Sequence, residues 1–268
     1  METVRKILIV GNWKMHLNAS QASLLVHHLH EKIQIQKNIE IVLAPSMLVI
    51  QPISLQLDRR KFRLAAQNAY FQDEGPFTGE VSFTMLRELV HYGIVGHSER
   101  RHVFHEDLDM IRDKVAAAVR NGITPILCVG ETGPEREEGE TKQVLHDQLM
   151  TALSNLTAEE VAEMVIAYEP VWAISDGSNF KEHLTAKPDQ VAEAVKYIRG
   201  YVKDVFNEKA AEKLRILYGG STVPEVVSGF LDVPAVDGFL VGGASLNYHL
   251  FSEIVENARK WQRRNEEE

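Results

Sequence analysis

Eight short runs of aliphatic, largely β-branched residues alternate with longer amphipathic stretches along the whole chain. Their composition and length predict β-strands. The stretches between them predict helices, among them residues 19–35, 108–120 and 188–205, and Pro188 opens the last where a first helical turn tolerates proline. The strand runs are residues 7–10, 41–44, 62–66, 93–96, 123–129, 164–168, 214–218 and 236–241.

Strands that alternate with helices build βαβ units, and these units form a parallel sheet. Eight of them fit within the 268 residues without a linker or a break in composition, and a (βα)8 barrel typically needs about 250 residues. Length alone would equally allow two smaller domains. The uninterrupted pattern favours a closed barrel, so we predict an α/β fold with a parallel eight-stranded core, forming one domain over residues 1–268.

The charge and the apolar runs of the chain exclude several classes of protein. The formal net charge is −9 and no basic stretch stands out, which argues against nucleic-acid binding. The first apolar run, residues 7–10, is too short for a signal-peptide core, and no run approaches the roughly 18 residues of a membrane span. The single cysteine, Cys128, cannot form an internal disulfide. We expect a cytoplasmic protein that binds neither nucleic acid nor membrane.

Chemically useful side chains follow three of the predicted strands. Asn12 and Lys14 follow the first, His97 the fourth and Glu169 the sixth. In a parallel barrel the C-terminal strand ends share one face, so these groups would meet in one pocket. A carboxylate can remove a proton next to a carbonyl while the others stabilise the oxyanion. Taken singly, Lys14 is more often a solvated lysine and His97 a structural histidine, but the combination favours catalysis.

Glycine-rich segments after the last strands indicate an anion site. Gly219-Gly220-Ser221 follows the seventh strand and Gly242-Gly243 the eighth, while Ser175 lies in the segment after the sixth. Glycines let backbone amides approach a phosphate, and a helix expected to start near Ala244 would add its positive end. One pair alone would more often make only a tight turn. The sequence contains no dinucleotide-type glycine pattern, Walker loop or metal-ligand spacing, so we expect no cofactor and no metal.

Together, four segments make the chain resemble triosephosphate isomerases over its whole length: residues 11–15, 96–100, 167–174 and 218–221. Residues 66–70, 77–80, 128–131 and 238–245 add to the match in the same order. The resemblance implies a TIM barrel and a cofactor-free isomerase that interconverts dihydroxyacetone phosphate and D-glyceraldehyde 3-phosphate in glycolysis and gluconeogenesis. A small sugar phosphate would be its ligand.

The resemblance also assigns roles to the residues after the strands. Glu169 would be the base that carries a proton between C1 and C2 through an enediolate. His97 would act as a neutral electrophile at the start of a helix near Ser98, a pairing known from this family. Lys14 would supply positive charge, held by the carboxylate of Glu99. Asn12 would provide an amide donor.

Further positions match the family's substrate grip and subunit contact. Ile174 and Leu240 resemble an apolar clamp over the base, although either could be ordinary core. The Trp172 indole would donate to the Glu131 carboxylate. The segment that contains Thr78 and Glu80 resembles the loop that inserts into a neighbouring subunit, which implies a homodimer. The phosphate would be gripped by backbone amides in the segments of Ser175, Ser221, Gly242 and Gly243.

The lid after the sixth strand departs from the family pattern. Residues 174–177 are followed by a longer segment before Pro188, and Ser175 and Asp176 replace residues of the usual lid. A tolerated surface insertion explains this simply, since lengthening a loop costs little closure entropy. The alternative is that Phe180 or Leu184 in the longer lid changes the rate of closure or admits a larger substrate, such as a four-carbon ketose phosphate. A barrel that binds phosphate without catalysis is a further alternative.

Overall fold

The computed structural model describes residues 5–35, 37–174 and 185–266. Eight strands form a closed barrel in sequence order, and every neighbouring pair is parallel, including the pair that closes the ring. The predicted parallel eight-stranded α/β barrel is therefore confirmed. The strands are β1 (Ile7–Asn12), β2 (Ile39–Ala44), β3 (Arg63–Ala66), β4 (Tyr92–Val95), β5 (Thr124–Val129), β6 (Val165–Tyr168), β7 (Arg215–Tyr218) and β8 (Gly238–Val241).

Helices surround the strands. They are α1 (Ala19–Lys32), α2 (Met47–Gln56), α3 (Phe83–Leu86), α4 (Ser98–His102), α5 (Leu108–Arg120), α6 (Gly133–Glu137), α7 (Thr141–Leu153), α8 (Ala158–Glu163), α9 (Pro188–Val205), α10 (Glu208–Lys213), α11 (Val227–Leu231) and α12 (Tyr248–Glu266). Short 3₁₀ turns cover Val171–Ala173, Pro224–Val226 and Gly243–Leu246. No helix within the described ranges is both long and apolar enough to cross a membrane.

Two of the three predicted helices have the predicted bounds, α5 and α9, and the first is shorter than predicted. Helix α1 ends at Lys32 because Ile33 adopts an extended backbone, with φ −94° and ψ 123°. The Ile33 side chain is only 3% exposed. An apolar residue at this spacing continues a helical pattern in the sequence, but here it packs into the core from beyond the helix.

Apolar side chains of the strands form two layers. On β1, Leu8 and Val10 point into the barrel, whereas Ile7 and Ile9 pack towards the helices. Successive side chains of a strand point to opposite faces, so each strand supplies both layers. The barrel is filled with side chains down its axis, which leaves its ends as the places for polar chemistry.

At the N-terminal end of the strands a polar cluster plugs the barrel. Arg215 at the start of β7 donates to Glu40 Oε2 and to the Tyr92 hydroxyl, both at 2.8 Å. The Tyr92 hydroxyl donates to Glu40 Oε1 at 2.9 Å. Burial, reinforced by the Glu40 charge and opposed by Arg215, raises the pKa of Tyr92 to about 12.

Closure of the barrel depends on a close backbone approach between β8 and β1. Gly238 has a φ of +144°, and a Cβ there would lie 1.9 Å from the Leu8 carbonyl oxygen. The carboxylate of the preceding residue, Asp237, accepts three hydrogen bonds. They come from Ile216 N at 2.9 Å, Arg5 Nε at 2.6 Å and Arg199 NH2 at 3.0 Å. These contacts hold β8 beside both of its neighbours.

Gly238→Ala is expected to destabilise the protein by about 3 kcal/mol or more, because it combines backbone strain with a clash against main-chain atoms. Gly229→Ala is the matched control: a Cβ at Gly229, in α11, meets nothing within 4 Å, so its stability should stay within about 1 kcal/mol of the parent. Urea unfolding of the three proteins measures the difference. Equal stabilities of the two variants would show that closure does not depend on this approach.

Candidate functional site

A pocket opens at the C-terminal ends of the strands. It gathers residues that sequence reasoning selected from β1, β4, β6, β7 and β8, together with their neighbours. Glu99 and Ser98 contact these residues from α4. The pocket is lined by Asn12, Lys14, His97, Glu169, Ile174, Gly219, Gly220, Ser221, Thr222, Leu240, Gly242, Gly243 and Ala244.

The Glu169 carboxylate is buried at the centre of this pocket, with 2% of the residue exposed. Its Oε2 accepts a hydrogen bond from Ser98 N at 3.0 Å. Its Oε1 makes no hydrogen bond to any described group, although His97 Nε2 lies 3.2 Å away. A buried carboxylate oxygen without a hydrogen bond is costly, so it marks this group as one available to a ligand.

Two glycines leave room for Glu169. A Cβ at Gly219 would lie 2.7 Å from Glu169 Cγ, and one at Gly130 would lie 1.9 Å from the Glu169 carbonyl oxygen. The backbone bonds Glu169 N to Val129 O at 2.7 Å and Gly219 N to Tyr168 O at 2.8 Å hold the three strand ends together. The absence of a side chain at Gly219 therefore makes space for the Glu169 side chain, in addition to allowing the turn after β7.

His97 precedes α4 and caps it. Glu99 N donates to His97 Nδ1 at 3.3 Å. Because a backbone amide can only donate, Nδ1 is an acceptor, and in the neutral ring the hydrogen is on Nε2, the nitrogen that faces Glu169. In this tautomer the ring presents an N–H donor to the pocket.

The backbone of Lys14 is held in the left-handed region, with a φ of 51°. Gln67 Nε2 donates to the carbonyls of Lys14 at 2.8 Å and Ala44 at 2.9 Å, and Asn12 Oδ1 accepts from Lys14 N at 3.1 Å. A non-glycine residue in this region costs about 1–2 kcal/mol. The role of Gln67 was missed from the sequence, where its only signal is a polar residue directly after β3.

The Lys14 ammonium contacts Glu99 Oε1 at 2.7 Å. Partial burial of Glu99 opposes its ionisation, but the hydrogen bond from Lys14 and the positive charge of Lys14 outweigh burial. The pKa of Glu99 is therefore lowered from its ordinary value of 4.5. The pair is ionic at neutral pH and fixes the direction of the Lys14 side chain.

Two further supports were also missed. Arg101 donates from Nε to Gly96 O at 2.7 Å and from NH2 to Cys128 O at 2.8 Å, which ties the end of β4 to β5. Burial lowers the pKa of this arginine. Ser245 is fully buried, and its hydroxyl bonds Gly242 O at 2.6 Å. The sequence shows only that Arg101 and Ser245 are polar residues near strand ends, which does not predict these hydrogen bonds.

The segment that leads out of β6 is anchored on Glu131, which is fully buried. The Trp172 indole Nε1 donates to Glu131 Oε1 at 2.9 Å, as the resemblance implied. The Tyr168 hydroxyl lies 3.1 Å from both carboxylate oxygens, and Arg136 NH1 lies 3.2 Å from Oε1. Burial, then the Glu131 charge, raises the pKa of Tyr168. The Arg136 guanidinium also lies over the Trp172 ring, 4.4 Å from its centroid.

Of the backbone amides expected to bind the phosphate, one is already engaged in a hydrogen bond. The Ser221 amide donates to Ala173 O at 3.0 Å, so it is occupied in this structure. The Gly243 amide, at the first residue of a 3₁₀ turn, makes no hydrogen bond to a described residue. A helix does start near Ala244, but it is the short 3₁₀ helix Gly243–Leu246. Extended Asn247 ends it, and α12 begins at Tyr248.

Two groups of predicted residues lie outside the pocket. Thr78 and Glu80 are exposed in a separate loop, closed at its base by the bond from Tyr70 N to Val81 O at 2.8 Å. The lid predictions for Ser175, Asp176, Phe180 and Leu184 fall outside the described residues. Ile174 and Leu240, the predicted clamp, both line the pocket.

Comparison with known proteins agrees with this geometry. The family model described as triosephosphate isomerase matches residues 7–258. The triosephosphate isomerase of Geotalea uraniireducens is 43% identical over 253 residues, which cover 94% of this chain and 98% of the relative. That of Carboxydothermus hydrogenoformans is 41% identical over 256 residues, covering 95% and 100%, and that of Lactobacillus gasseri is 42% identical over 253 residues, covering 94% and 98%. The chain belongs to the triosephosphate isomerase family.

Proposed function

We propose that this protein interconverts dihydroxyacetone phosphate and D-glyceraldehyde 3-phosphate through an enediolate. The observation that carries the proposal is the pairing of a buried Glu169 oxygen without a hydrogen bond and the Nε2 of His97, 3.2 Å apart in one pocket. A base and an electrophile this close can act on two atoms of one small substrate.

In the forward direction Glu169 removes a proton from C1 of dihydroxyacetone phosphate. The C1 electron pair forms the C1–C2 double bond, and the carbonyl oxygen becomes an oxyanion. The Nε2–H of His97 and the Lys14 ammonium stabilise that oxyanion, and one well-placed donor contributes roughly 3–4 kcal/mol. The Asn12 amide is a further donor. His97 gives its Nε2 proton to the C2 oxygen and takes the proton of the C1 hydroxyl in return. The C1–O bond then becomes the aldehyde carbonyl as the same carboxyl protonates C2, so no proton is gained or lost overall.

The substrate phosphate is gripped by backbone amides after β7 and β8. The Gly243 amide is free to donate, and the Ser221 amide becomes free once it leaves the Ala173 carbonyl. Ala173 directly precedes Ile174 and the lid, so a phosphate that takes the Ser221 amide would release the start of the lid. In the proposed closed state the Ser175 amide joins the grip, and Ile174 and Leu240 exclude water from Glu169.

Glu169→Gln is expected to lower kcat by about 10²- to 10⁴-fold, because the amide cannot accept the proton. KM should change little, since the phosphate contacts are untouched. A coupled assay of isomerisation measures both constants, and Glu253→Gln, an exposed glutamate of α12, is the matched control.

The same assay separates the alternatives. A parent protein that isomerises no three-carbon substrate, with a Glu169→Gln variant equally inert, would support a non-catalytic barrel. Higher kcat/KM on a four-carbon ketose phosphate than on dihydroxyacetone phosphate would instead support the larger substrate.

Glu99 acts as a positioning residue for Lys14 in this proposal. Because its pKa is lowered in the folded state, its stabilising contribution is present above the ordinary value of 4.5 and is lost as pH falls through the lowered value. The Glu99 side chain is 46% exposed, so the contribution is below about 1 kcal/mol.

Glu99→Gln should therefore reduce the free energy of unfolding near pH 7, and the difference from the parent should shrink as the pH is lowered towards 3. It should also lower kcat/KM, because Lys14 is less firmly held. Urea titrations between pH 3 and 7 test this, with Glu88→Gln as a control at an exposed glutamate that has no ion pair among the described residues. A difference independent of pH would contradict the assignment.

We further propose a homodimer of single-barrel subunits in which the loop with Thr78 and Glu80 enters the partner beside Lys14. Large apolar side chains close to these residues in the sequence are exposed: Met15, next to Lys14, is 94% exposed, and Met85, shortly after Glu80, is 65% exposed. Exposed apolar groups of this size often mark a contact surface. The cytoplasm and the glycolytic and gluconeogenic pathways stay predictions.

Met15→Glu is expected to shift the protein from dimer to monomer, because it places a charge in the proposed interface. Light scattering after size exclusion measures the mass. Leu55→Glu is the control, since Leu55 on α2 is 83% exposed and outside the proposed contact. A parent that is monomeric at micromolar concentration, or a Met15→Glu variant that stays dimeric, would contradict the proposal.

A further inference from the structure

A second polar groove, of about 450 Å³, lies at the opposite end of the barrel from the candidate active site. It is formed at the starts of β2, β3, β4 and β5. Its acidic and basic residues are Glu40, Arg59, Arg63, Arg87, Glu88 and His91. Its volume is in the range of small-molecule pockets, roughly 300–1,000 Å³.

The three arginines of this groove have no carboxylate within 4.0 Å among the described residues. Of the other arginines in the chain, only Arg101 and Arg263 share this lack. Arg101 is satisfied by two carbonyls. The concentration in one groove of guanidinium groups without a carboxylate partner among the described residues is therefore a local feature of this surface.

The acidic residues of the groove leave its charge positive. Glu40 is engaged by Arg215 and Tyr92, as described above, so its charge is already matched. Glu88 is exposed and forms no ion pair with a described residue. The three arginines against Glu88 leave an excess of positive charge here, on a chain whose formal net charge is −9.

His91 contacts one of these arginines directly. Its Nε2 lies 2.8 Å from Arg63 NH1, so Nε2 accepts and the ring is neutral in this arrangement. Burial and then the charges of Arg63 and Arg59 lower the pKa of His91, against a smaller opposing effect of Glu40. Arg63 is also oriented by this bond, which reduces the side-chain freedom that a ligand would have to freeze.

We propose that this groove binds a small phosphate-bearing anion, separately from the substrate site. A guanidinium group presents paired N–H donors that match phosphate oxygens, and several around one concave surface bind a multiply charged anion. The overall negative charge of the chain repels anions elsewhere, so the binding depends on this local cluster. The site is distinct from the pocket of Glu169, since the two share no lining residue.

The test is a calorimetric titration of the full chain with pyrophosphate in chloride buffer at low ionic strength. The parent protein should show a site in addition to the one measured by competitive inhibition of isomerisation. Arg87→Gln and Arg63→Gln should each weaken the additional site by at least tenfold and leave the inhibition constant and KM unchanged. Arg87 is exposed, so its variant tests the proposal even if Arg63→Gln, on β3, folds poorly.

Arg263→Gln is the matched control, because it removes the same charge from an exposed arginine of α12 that also lacks a carboxylate partner among the described residues. It should leave the additional site intact. Equal weakening in Arg263→Gln and Arg87→Gln would overturn the proposal in favour of general charge attraction. A parent whose pyrophosphate binding is fully accounted for by competitive inhibition would also overturn it. The calorimetric comparison of variants needs no turnover and stands apart from the proposed activity.

Discussion

Pairing of β8 with β1 turns eight parallel strands into a ring, and the site exists only because the ring closes. Asn12 at the end of β1 and Gly243 after β8 meet in one pocket through this pairing. The contact is made by backbone alone at Gly238, where any side chain would strike Leu8. Asp237 then fixes the register with bonds to β7 and to two arginines. Closure thus determines which groups can act on one substrate.

The site carries several local costs that the barrel must offset. Lys14 has a left-handed backbone, and one oxygen of Glu169 is buried without a hydrogen bond. Each costs about 1–3 kcal/mol, and such costs concentrate at functional sites. Surrounding hydrogen bonds hold both residues in these unfavourable arrangements. Gln67 donates to the Lys14 carbonyl, and the Ser98 amide donates to the other oxygen of Glu169. A substrate would relieve the unsatisfied oxygen, which couples binding to the chemistry.

Sequence patterning predicted what depends on local periodicity. The bounds of α5 and α9 were predicted to the residue, and both ends of all eight strands were located to within two residues. The end of α1 was wrong because Ile33 keeps the helical apolar spacing after the backbone has turned. The helix expected near Ala244 is a short 3₁₀ helix, and the long helix α12 begins only at Tyr248, because the extended backbone of Asn247 separates the two. Both differences concern backbone dihedrals that apolar spacing does not determine.

The sequence indicated which residues line the candidate site, but not the hydrogen bonds that hold those residues in place. Asn12, Lys14, His97 and Glu169 were found because each follows a strand. The support from Gln67 to Lys14 spans 53 positions, and no local pattern encodes a contact of that separation. The occupied Ser221 amide likewise depends on where the Ala173 carbonyl lies, which only the assembled strand ends define.

In the proposed mechanism one carboxylate, Glu169, carries a proton between two carbons of the substrate. Running the reaction in ²H₂O and analysing product and recovered substrate by NMR tests it most directly. A proton held on a carboxyl group exchanges with solvent, so deuterium should appear at C2 of the aldehyde and at C1 of recovered dihydroxyacetone phosphate. Complete retention of the original hydrogen in every product molecule would indicate a hydride shift and contradict the account.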